Sequence, residues 1–303
     1  MNFWVEMVYL KVGDIVVRKS YNKDITFKII DINDSIHGTL YTLKGVNIRV
    51  IADSLEDDLE VLETKDRKSY EKVFDNKVND SIKNILLSRG KKGNIKNYTR
   101  GINRNIKNGK GKKDLSFGRP GKILHVDGDP EYLEVCLKVY RQLELDAVGK
   151  VIPEKEQPDK ILEMVRQVKP DIVVITGHDA VAKGNIDYMD VNNYRNSKYF
   201  IKAVAELRNY ECGYDDLVIF AGACQSHYEA ILDAGANFAS SPGRVLIHCL
   251  DPVFLCEKIA YTNIEKVVSI KDALQNTISG SRGLGGLETR GKYRKGFPKS
   301  QYV

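Results

Sequence analysis

From residue 122 onward the chain alternates short apolar runs with segments of helical periodicity, and this alternation strongly constrains the fold. The strand-like runs are residues 122–126, 147–152, 171–176, 217–220, 236–239, 245–249 and 267–270. The helical segments are residues 130–143, 157–168, 197–209, 226–234, 252–260 and 272–278. Strict alternation of this kind is typical of α/β proteins, in which helices cover both faces of a mostly parallel sheet. We therefore predict an α/β domain over residues 121–280.

The sequence before this domain divides into two parts. Residues 1–64 contain four short β-type runs separated by turn residues, at residues 13–18, 25–30, 39–43 and 47–51, which predicts a small β-barrel of the SH3 or Tudor kind. In residues 65–120 we predict a helix over 69–87 and then a flexible basic linker, because 13 Lys or Arg face a single acid between residues 83 and 122. Residues 281–303 are rich in Gly, Arg and Lys and predict a basic tail.

Composition narrows the possible functions. The net charge of +6 is modest, and the basic linker has few aromatic residues to stack on bases, so a solvated linker is favoured over nucleic-acid binding. The five cysteines are odd in number and lack a Cys-x-x-Cys pair, which argues against a disulfide framework or a structural zinc site. No run reaches membrane-spanning length and the start lacks a basic leader, so we expect a cytoplasmic protein without cofactor or metal.

Two strand ends carry reactive side chains. The run 217–220 leads into Gly222-Ala-Cys224-Gln-Ser226, and the run 171–176 leads into Gly177-His178-Asp179. Neighbouring parallel strands bring such ends to the same edge of the sheet, where ligands bind. Because a thiol beside an imidazole is a nucleophile with its base, we predict a cysteine hydrolase that uses Cys224 and His178.

The roles of the surrounding groups follow from this pairing. We expect the backbone N–H groups of Cys224 and of Asp179 or Ala180 to form the oxyanion hole. Cys224 is predicted to begin a helix, whose dipole would favour the thiolate. The Asp179 carboxylate is a candidate to orient the imidazole of His178.

Three alternatives remain open on the residues. A phosphoacceptor receiver domain would explain Asp127 and Asp129 after the first strand, but Thr176 stands where its acceptor aspartate belongs. An amidotransferase-like thiol hydrolase would take its base downstream of Cys224, from His227 or His248. A non-enzymatic protein that binds RNA or another protein would use none of these groups chemically.

Five segments carry a resemblance to a known family: Gly13-Asp-Ile-Val-Val-Arg18, His125-Val-Asp-Gly-Asp-Pro130, Gly177-His-Asp-Ala180, Asn193-Tyr-Arg-Asn-Ser-Lys-Tyr-Phe200 and Ala221-Gly-Ala-Cys-Gln-Ser226. They resemble the YabG family of sporulation-specific peptidases over nearly the whole chain. The resemblance implies a cysteine endopeptidase of the mother-cell compartment, associated with the forming spore coat, that trims coat and cortex-associated proteins. The order of His178 before Ala223-Cys224 also resembles caspase-like peptidases, although Gly177-His178 inverts their His-Gly pair.

The caspase-like resemblance implies a substrate pocket at the end of the first strand. Asp127 and Asp129 stand there, and carboxylates in a pocket pair most strongly with arginine and also with lysine. The alternative for Asp129 is that it caps the helix opened by Pro130. Cleavage after arginine would make the linker a candidate for self-processing, at Arg89, Arg100, Arg104 or Arg119.

Overall fold

The first strands form an antiparallel sheet. The computed structural model describes residues 10–35, 38–62, 64–91, 116–182, 184 and 187–300. Its first five strands are β1 (Ile15–Arg18), β2 (Thr26–Ser35), β3 (Gly38–Gly45), β4 (Ile51–Leu55) and β5 (Leu59–Val61). They follow the order β4-β3-β2-β1-β5 and enclose a small core of their own around Ile29 and Leu43. In the described residues β4 and β5 do not pair, so the structure shows an antiparallel sheet and no closed barrel.

A long helix, α1 (Thr64–Lys91), follows this sheet and confirms the predicted helix, with wider bounds. Its carboxyl-terminal part packs on the second half of the chain through Ile85, which is buried in the larger core. Arg89 is buried as well, and its Nε and Nη2 atoms lie 2.9 and 2.7 Å from Glu257 Oε1. This end of the helix is therefore docked rather than solvated. The basic segment predicted to be flexible, with Arg100 and Arg104, lies largely outside the described residues.

The remaining elements alternate as the sequence predicts. They are β6 (Phe117–Arg119), β7 (Ile123–Asp127), α2 (Pro130–Gln142), β8 (Ala147–Val151), α3 (Gln157–Val168), β9 (Ile172–Thr176), α4 (Ser197–Tyr210), β10 (Val218–Ala221), α5 (Tyr228–Asp233), β11 (Phe238–Ser240), α6 (Asp251–Tyr261), β12 (Val267–Val268), α7 (Ile270–Leu274), α8 (Gly280–Gly283), β13 (Leu284–Gly286), β14 (Thr289–Arg290) and β15 (Arg294–Gly296). The mixed α/β class is confirmed.

Six of these strands form the central sheet, in the order β13-β11-β10-β9-β7-β8. The five from β7 to β11 are parallel, and β13 pairs antiparallel to β11. Counted along the chain, the parallel strands follow the order 2-1-3-4-5, which is a doubly wound arrangement. Such sheets place ligands at the carboxyl ends of their strands, near the point where the strand order reverses. Here that point lies between β7 and β9.

Both faces of the sheet are buried. In β9, Val174 points into one core with α2 and α6, whereas Val173 and Ile175 point into the other with α3 and α4. This alternation follows from the two-residue period of a strand. Because helices cover both faces, every residue of β7, β9 and β10 is buried, which explains their continuous apolar runs.

Four predicted elements differ from the structure. Residues 245–249 form no strand, and His248 makes an isolated bridge to Ile48 in the loop that was itself predicted as the strand 47–51. Residues 267–270 contribute β12, which pairs with β14 outside the central sheet. The predicted tail contains β13, which joins the central sheet, and β15, which pairs with β6. None of the described helices is long and apolar enough to cross a bilayer.

Candidate active site

The tips carrying Cys224 and His178 lie at the same edge of the sheet. β9 and β10 are parallel neighbours, with Ile175 opposite Ala221. His178 follows the last residue of β9 by two positions, and Cys224 follows the last residue of β10 by three. The topology therefore brings both side chains to the carboxyl edge of adjacent strands.

A tight turn presents Cys224. Gly222 adopts φ +111°, and a Cβ at this position would overlap with Ser240 Oγ. Glycine is thus required here on both conformational and steric grounds. Ser226 Oγ accepts a hydrogen bond from the Ala223 N–H and donates one to Asp179, each at 2.9 Å. These bonds tie the turn to the loop that carries His178.

Asp179 holds the two loops together. Its carboxylate is buried and accepts hydrogen bonds from the Asn196 N–H at 2.7 Å and from the hydroxyls of Ser197 and Ser226. Burial raises the pKa of Asp179, although the hydrogen bond from Ser197 opposes this. None of its hydrogen bonds involves the ring of His178. The structure therefore places this carboxylate as a link between loops, not as the partner of the imidazole.

The Cys224 thiol is fully buried. Its Sγ accepts a hydrogen bond from the Ile247 N–H at 3.2 Å and donates one to the Ile247 carbonyl at 3.7 Å. Burial raises the pKa of Cys224 to about 12, an effect that the Ile247 N–H and the Arg49 charge only partly offset. The predicted helix at Cys224 is wrong, because α5 begins at Tyr228. The thiol is therefore protonated at neutral pH in this state.

His178 is oriented by a carboxylate that precedes α2. Its Nε2 lies 2.8 Å from Asp129 Oδ2, and its backbone N–H donates to Glu154 Oε1 at 2.7 Å. Its Nδ1 is buried and has no hydrogen-bond partner within the described ranges. In this state neither ring nitrogen lies within hydrogen-bond distance of Cys224 Sγ, whose partners are those given above. The geometry leaves Nδ1 as the nitrogen available for proton transfer.

Asp129 also caps a helix. It accepts hydrogen bonds from the backbone N–H groups of Glu131 and Tyr132 at the start of α2, which confirms the capping alternative. Lys44 Nζ lies 2.7 Å from its Oδ2. Burial would raise the pKa of Asp129, but the hydrogen bonds from His178 and Lys44 lower it to about 2. Asp129 is therefore ionised and held in place where it contacts the imidazole of His178.

Asp127 lies at the floor of the same edge and is fully buried. Its Oδ2 lies 2.6 Å from Arg49 Nη1 and accepts a hydrogen bond from Thr176 Oγ1 at 2.9 Å. Its Oδ1 accepts the Asp129 N–H at 2.9 Å. Burial would raise the pKa of Asp127, but the Arg49 guanidinium beside it and the hydrogen bond from His125 hold it well below its usual range. Asp127 is therefore an ionised carboxylate that is already paired with the guanidinium of Arg49.

The other histidines considered as bases have structural contacts. His227 caps α5, with its Nδ1 accepting the Ala230 N–H at 3.2 Å. The Nδ1 of His248 accepts the Leu250 N–H at 3.1 Å, and burial lowers the pKa of His248 to about 4. Neither ring is a hydrogen-bond partner of Cys224 Sγ. Thr176, at the position of a receiver-domain acceptor, hydrogen-bonds to Asp127 instead.

Sequence reasoning missed four residues that shape this site: Lys44, Arg49, Tyr132 and Glu154. Glu154 fits against Gly128 and Gly177, where a Cβ would overlap with its carboxylate, but this fit is visible only in the structure. Arg49 and Tyr132 carry no sequence signal for their positions. Among the described residues, no group of three His, Cys, Asp or Glu side chains is arranged to hold a metal ion.

These observations define a doubly wound α/β protein whose reactive groups meet at the carboxyl edge of its sheet. A family model described as YabG peptidase U57 matches residues 11–298. The chain is also 40% identical over 297 residues to a protein described as "Sporulation-specific protease YabG" from Bacillus subtilis (strain 168), with 95% of this chain and 98% of that protein covered. The chain therefore belongs to the YabG peptidase U57 family. The resemblance seen in the sequence is confirmed, and family membership supports a peptidase connected with sporulation.

Proposed function

We propose that the chain is a cysteine endopeptidase of sporulation, with Cys224 as nucleophile and His178 as general base. The observation that carries the proposal is the parallel pairing of β9 with β10, which brings both side chains to one edge. Asp129 fixes the imidazole through Nε2, which leaves Nδ1 for the thiol. A base oriented by a third group beside a nucleophile is the arrangement on which covalent catalysis relies.

The reaction begins once the two tips approach each other. Nδ1 of His178 takes the proton of Cys224, and the thiolate attacks the scissile carbonyl carbon to form a tetrahedral oxyanion. The oxyanion collapses, the C–N bond breaks, and the imidazolium returns its proton to the leaving amine. Water, deprotonated by the same imidazole, then hydrolyses the thioester and releases the acid and the free thiol. Asp129 keeps the ring oriented and stabilises its charged form.

The oxyanion requires donors that are free to receive it. Among the described residues, the backbone N–H groups of Cys224 and Asp179 donate no hydrogen bond to a carbonyl or side chain. We assign these two groups to the oxyanion hole. The tight turn at Gly222 supports this assignment because it ends β10, so that the Cys224 N–H takes no part in hydrogen bonding between strands.

Specificity for arginine, and more weakly for lysine, is assigned to Asp127. Its buried, ionised carboxylate can form a charge-assisted pair with a guanidinium, and Arg49 already makes such a pair. Asp129 is a poorer candidate because it is engaged with His178, Lys44 and the start of α2. With this specificity we propose coat and cortex proteins as substrates, in the mother-cell cytoplasm at the forming coat. Order 2-1-3-4-5 with an antiparallel sixth strand supports a caspase-like fold as part of the proposal.

Four variants test the proposed chemistry on coat proteins extracted from spores: Cys224→Ala, His178→Ala, His248→Ala and Asp127→Ala. We expect the first two to abolish cleavage and His248→Ala to leave it. The cuts that the unmodified protein makes in the coat proteins should lie after arginine residues, and Asp127→Ala should lose this preference for arginine. Intact cleavage by Cys224→Ala would reject a cysteine mechanism.

A second candidate is an amidotransferase-like thiol hydrolase with His248 as base. The observation in its favour is that Ile247, next to His248, contacts Cys224 Sγ directly. Loss of activity with His248→Ala and retention with His178→Ala would select this alternative. If the protein only binds the coat or RNA, neither the unmodified protein nor any of the four variants should cleave coat proteins.

A further inference from the structure

The loop between β3 and β4 leaves the antiparallel sheet and crosses the candidate active site. Ile48 makes an antiparallel bridge to His248, and the Asn47 carbonyl accepts the Cys249 N–H at 3.0 Å. Tyr132 donates its hydroxyl to the Ile48 carbonyl at 2.7 Å. The segment is thus held through its backbone, as a bound peptide is held when it pairs with an exposed edge.

Arg49 of this loop enters the pocket of Asp127. It is fully buried, with Nη1 2.6 Å from Asp127 Oδ2 and Nη2 3.7 Å from Cys136 Sγ. Its guanidinium carbon lies 5.1 Å from the centre of the Tyr132 ring. The positive charge of Arg49 also opposes the rise in the pKa of Cys224 that burial causes. One residue therefore fills the pocket proposed for the substrate arginine and acts electrostatically on the proposed nucleophile.

Stability alone does not explain this insertion. A buried ion pair contributes little net stability, because the loss of hydration offsets the attraction between the charges. Within the part of the chain that the structure describes, Arg49 Nε and Nη1 are buried without a hydrogen-bond partner, so Nη1 meets Asp127 Oδ2 as an ion pair outside hydrogen-bond geometry. Asp127 has Thr176 and the Asp129 N–H as further hydrogen-bond donors, so its position does not depend on Arg49. These features fit a pocket built to receive a guanidinium from another peptide.

A second contact comes from the end of β3, just before this loop. Lys44 Nζ lies 2.7 Å from Asp129 Oδ2 and 2.8 Å from Glu131 Oε2. Asp129 is the carboxylate that orients His178. The loop therefore occupies the pocket of Asp127 through Arg49, and the strand that leads into the loop contacts the orienting carboxylate through Lys44. Displacement of the loop would empty the pocket and free residues 248–249 for a substrate.

We propose that residues 46–50 are a built-in ligand of the substrate cleft, with Arg49 in the arginine pocket, and that the protein is inhibited until they are displaced. This inference rests on the proposed function, because it uses the same nucleophile and pocket. It also defines the substrate: an extended peptide that pairs with residues 248–249 and places an arginine on Asp127. Such a peptide competes with the loop for the same groups.

The test uses the full chain and a peptidyl-arginine acyloxymethyl ketone, which alkylates a thiol only after its arginine is bound. Arg49→Ala should raise the labelling rate of Cys224 by about tenfold or more, which corresponds to an open fraction of at most about a tenth in the unmodified protein. Benzamidine should slow labelling of Arg49→Ala. Arg89→Ala, which removes another buried arginine outside the pocket, should label like the unmodified protein. Equal rates for Arg49→Ala and the unmodified protein would overturn the proposal.

Two measurements guard against misfolding of Arg49→Ala. Peptide mapping should show the label on Cys224 and none on the buried Cys136, Cys249 and Cys256, which an unfolded chain would expose. In the unmodified protein, a peptide-arginine aldehyde should speed amide hydrogen exchange in residues 47–49 as it displaces them. If the aldehyde binds at Cys224 and amide exchange in residues 47–49 does not change, displacement of the loop is refuted, regardless of how Arg49→Ala labels.

The outcomes also separate this proposal from the proposed function. If Cys224→Ala loses proteolysis but Arg49→Ala and the unmodified protein label equally, the endopeptidase stands and the built-in ligand fails. If Cys224→Ala keeps full proteolysis, the cysteine mechanism fails first and this inference fails with it. A cut after Arg49 in the unmodified protein that is absent from Cys224→Ala would support occupancy of the pocket by Arg49.

Discussion

The pair between Arg49 and Asp127 gives a sharp energetic prediction. Both side chains are fully buried, and Nη1 lies 2.6 Å from Oδ2. Removing one partner of a buried pair leaves the other charge uncompensated and costs about 3–5 kcal/mol. Removing both charges together avoids that penalty. We therefore expect Arg49→Met and Asp127→Asn each to lower the free energy of unfolding by about 3 kcal/mol or more.

The double variant should be much less destabilised than the sum of the single variants. We expect a coupling free energy of about 2–3 kcal/mol, at the upper end for residues in contact. The pair contributes fully at neutral pH, because the pKa of Asp127 is held below its unfolded value by Arg49. Its contribution is lost as pH falls below about 4, toward the folded pKa. The coupling should thus be constant from about pH 5 to 9.

Urea denaturation followed by circular dichroism measures these free energies in the Cys224→Ala background, which prevents self-cleavage. The matched control is the pair of Arg18 and Asp58, which lies 2.8 Å apart within the antiparallel sheet and is partly exposed. Its coupling should stay below about 1 kcal/mol. Additive losses for Arg49→Met and Asp127→Asn, within about 0.5 kcal/mol, would refute the reasoning.

Three further predictions follow from single residues. Gly222→Ala should lower the free energy of unfolding by more than about 1–2 kcal/mol and abolish activity, because φ is +111° and the space beside it is filled. Gly184→Ala, at φ +112° and with no described atom beyond its chain neighbours within 4 Å of the added Cβ, should keep activity. Burial raises the pKa of Asp251 from 3.8 to about 6, so its contribution to the free energy of unfolding should fall by about 3 kcal/mol as pH rises from about 4 to 6. The difference in unfolding free energy between Asp251→Asn and the unmodified protein should change by that amount over this range, and a constant difference would contradict the prediction. Asp129→Asn should lower kcat by on the order of 10²–10⁴-fold with little change in KM, and an equal kcat would remove its orienting role for His178.

Much of the central sheet was predictable because its local patterns agree with its global fold. The runs that became β7, β8, β9 and β10 carry strand periodicity and are separated by helices with clear start signals, such as Pro130 after Asp129. The two reactive tips followed from this order, since parallel strands direct their carboxyl ends to one edge. Helix α5 began later than predicted because the chain after Cys224 forms a tight turn before His227 caps it.

The two strand predictions that failed share a physical cause. Residues 47–51 and 245–249 have β-type composition, and in the structure Ile48 and His248 form a bridge to each other rather than ladders in their own sheets. A run of apolar and β-branched residues indicates that a segment is extended and buried, but it does not indicate which segment it will pair with. β13 was missed because glycines dominate it, and its place in the sheet depends on pairing with β11.

By itself, the sequence determined the α/β class, the order of the main elements, the thiol and imidazole at two strand ends, and membership of a peptidase family, because these depend on local pattern and on residue identity. The tertiary structure decided what contacts those groups. It gave His178 the carboxylate of Asp129, buried Cys224, and brought Arg49 from the amino-terminal sheet onto Asp127. Such contacts join residues about 50 to 80 positions apart, and no local propensity encodes which of many charged side chains will meet across that distance.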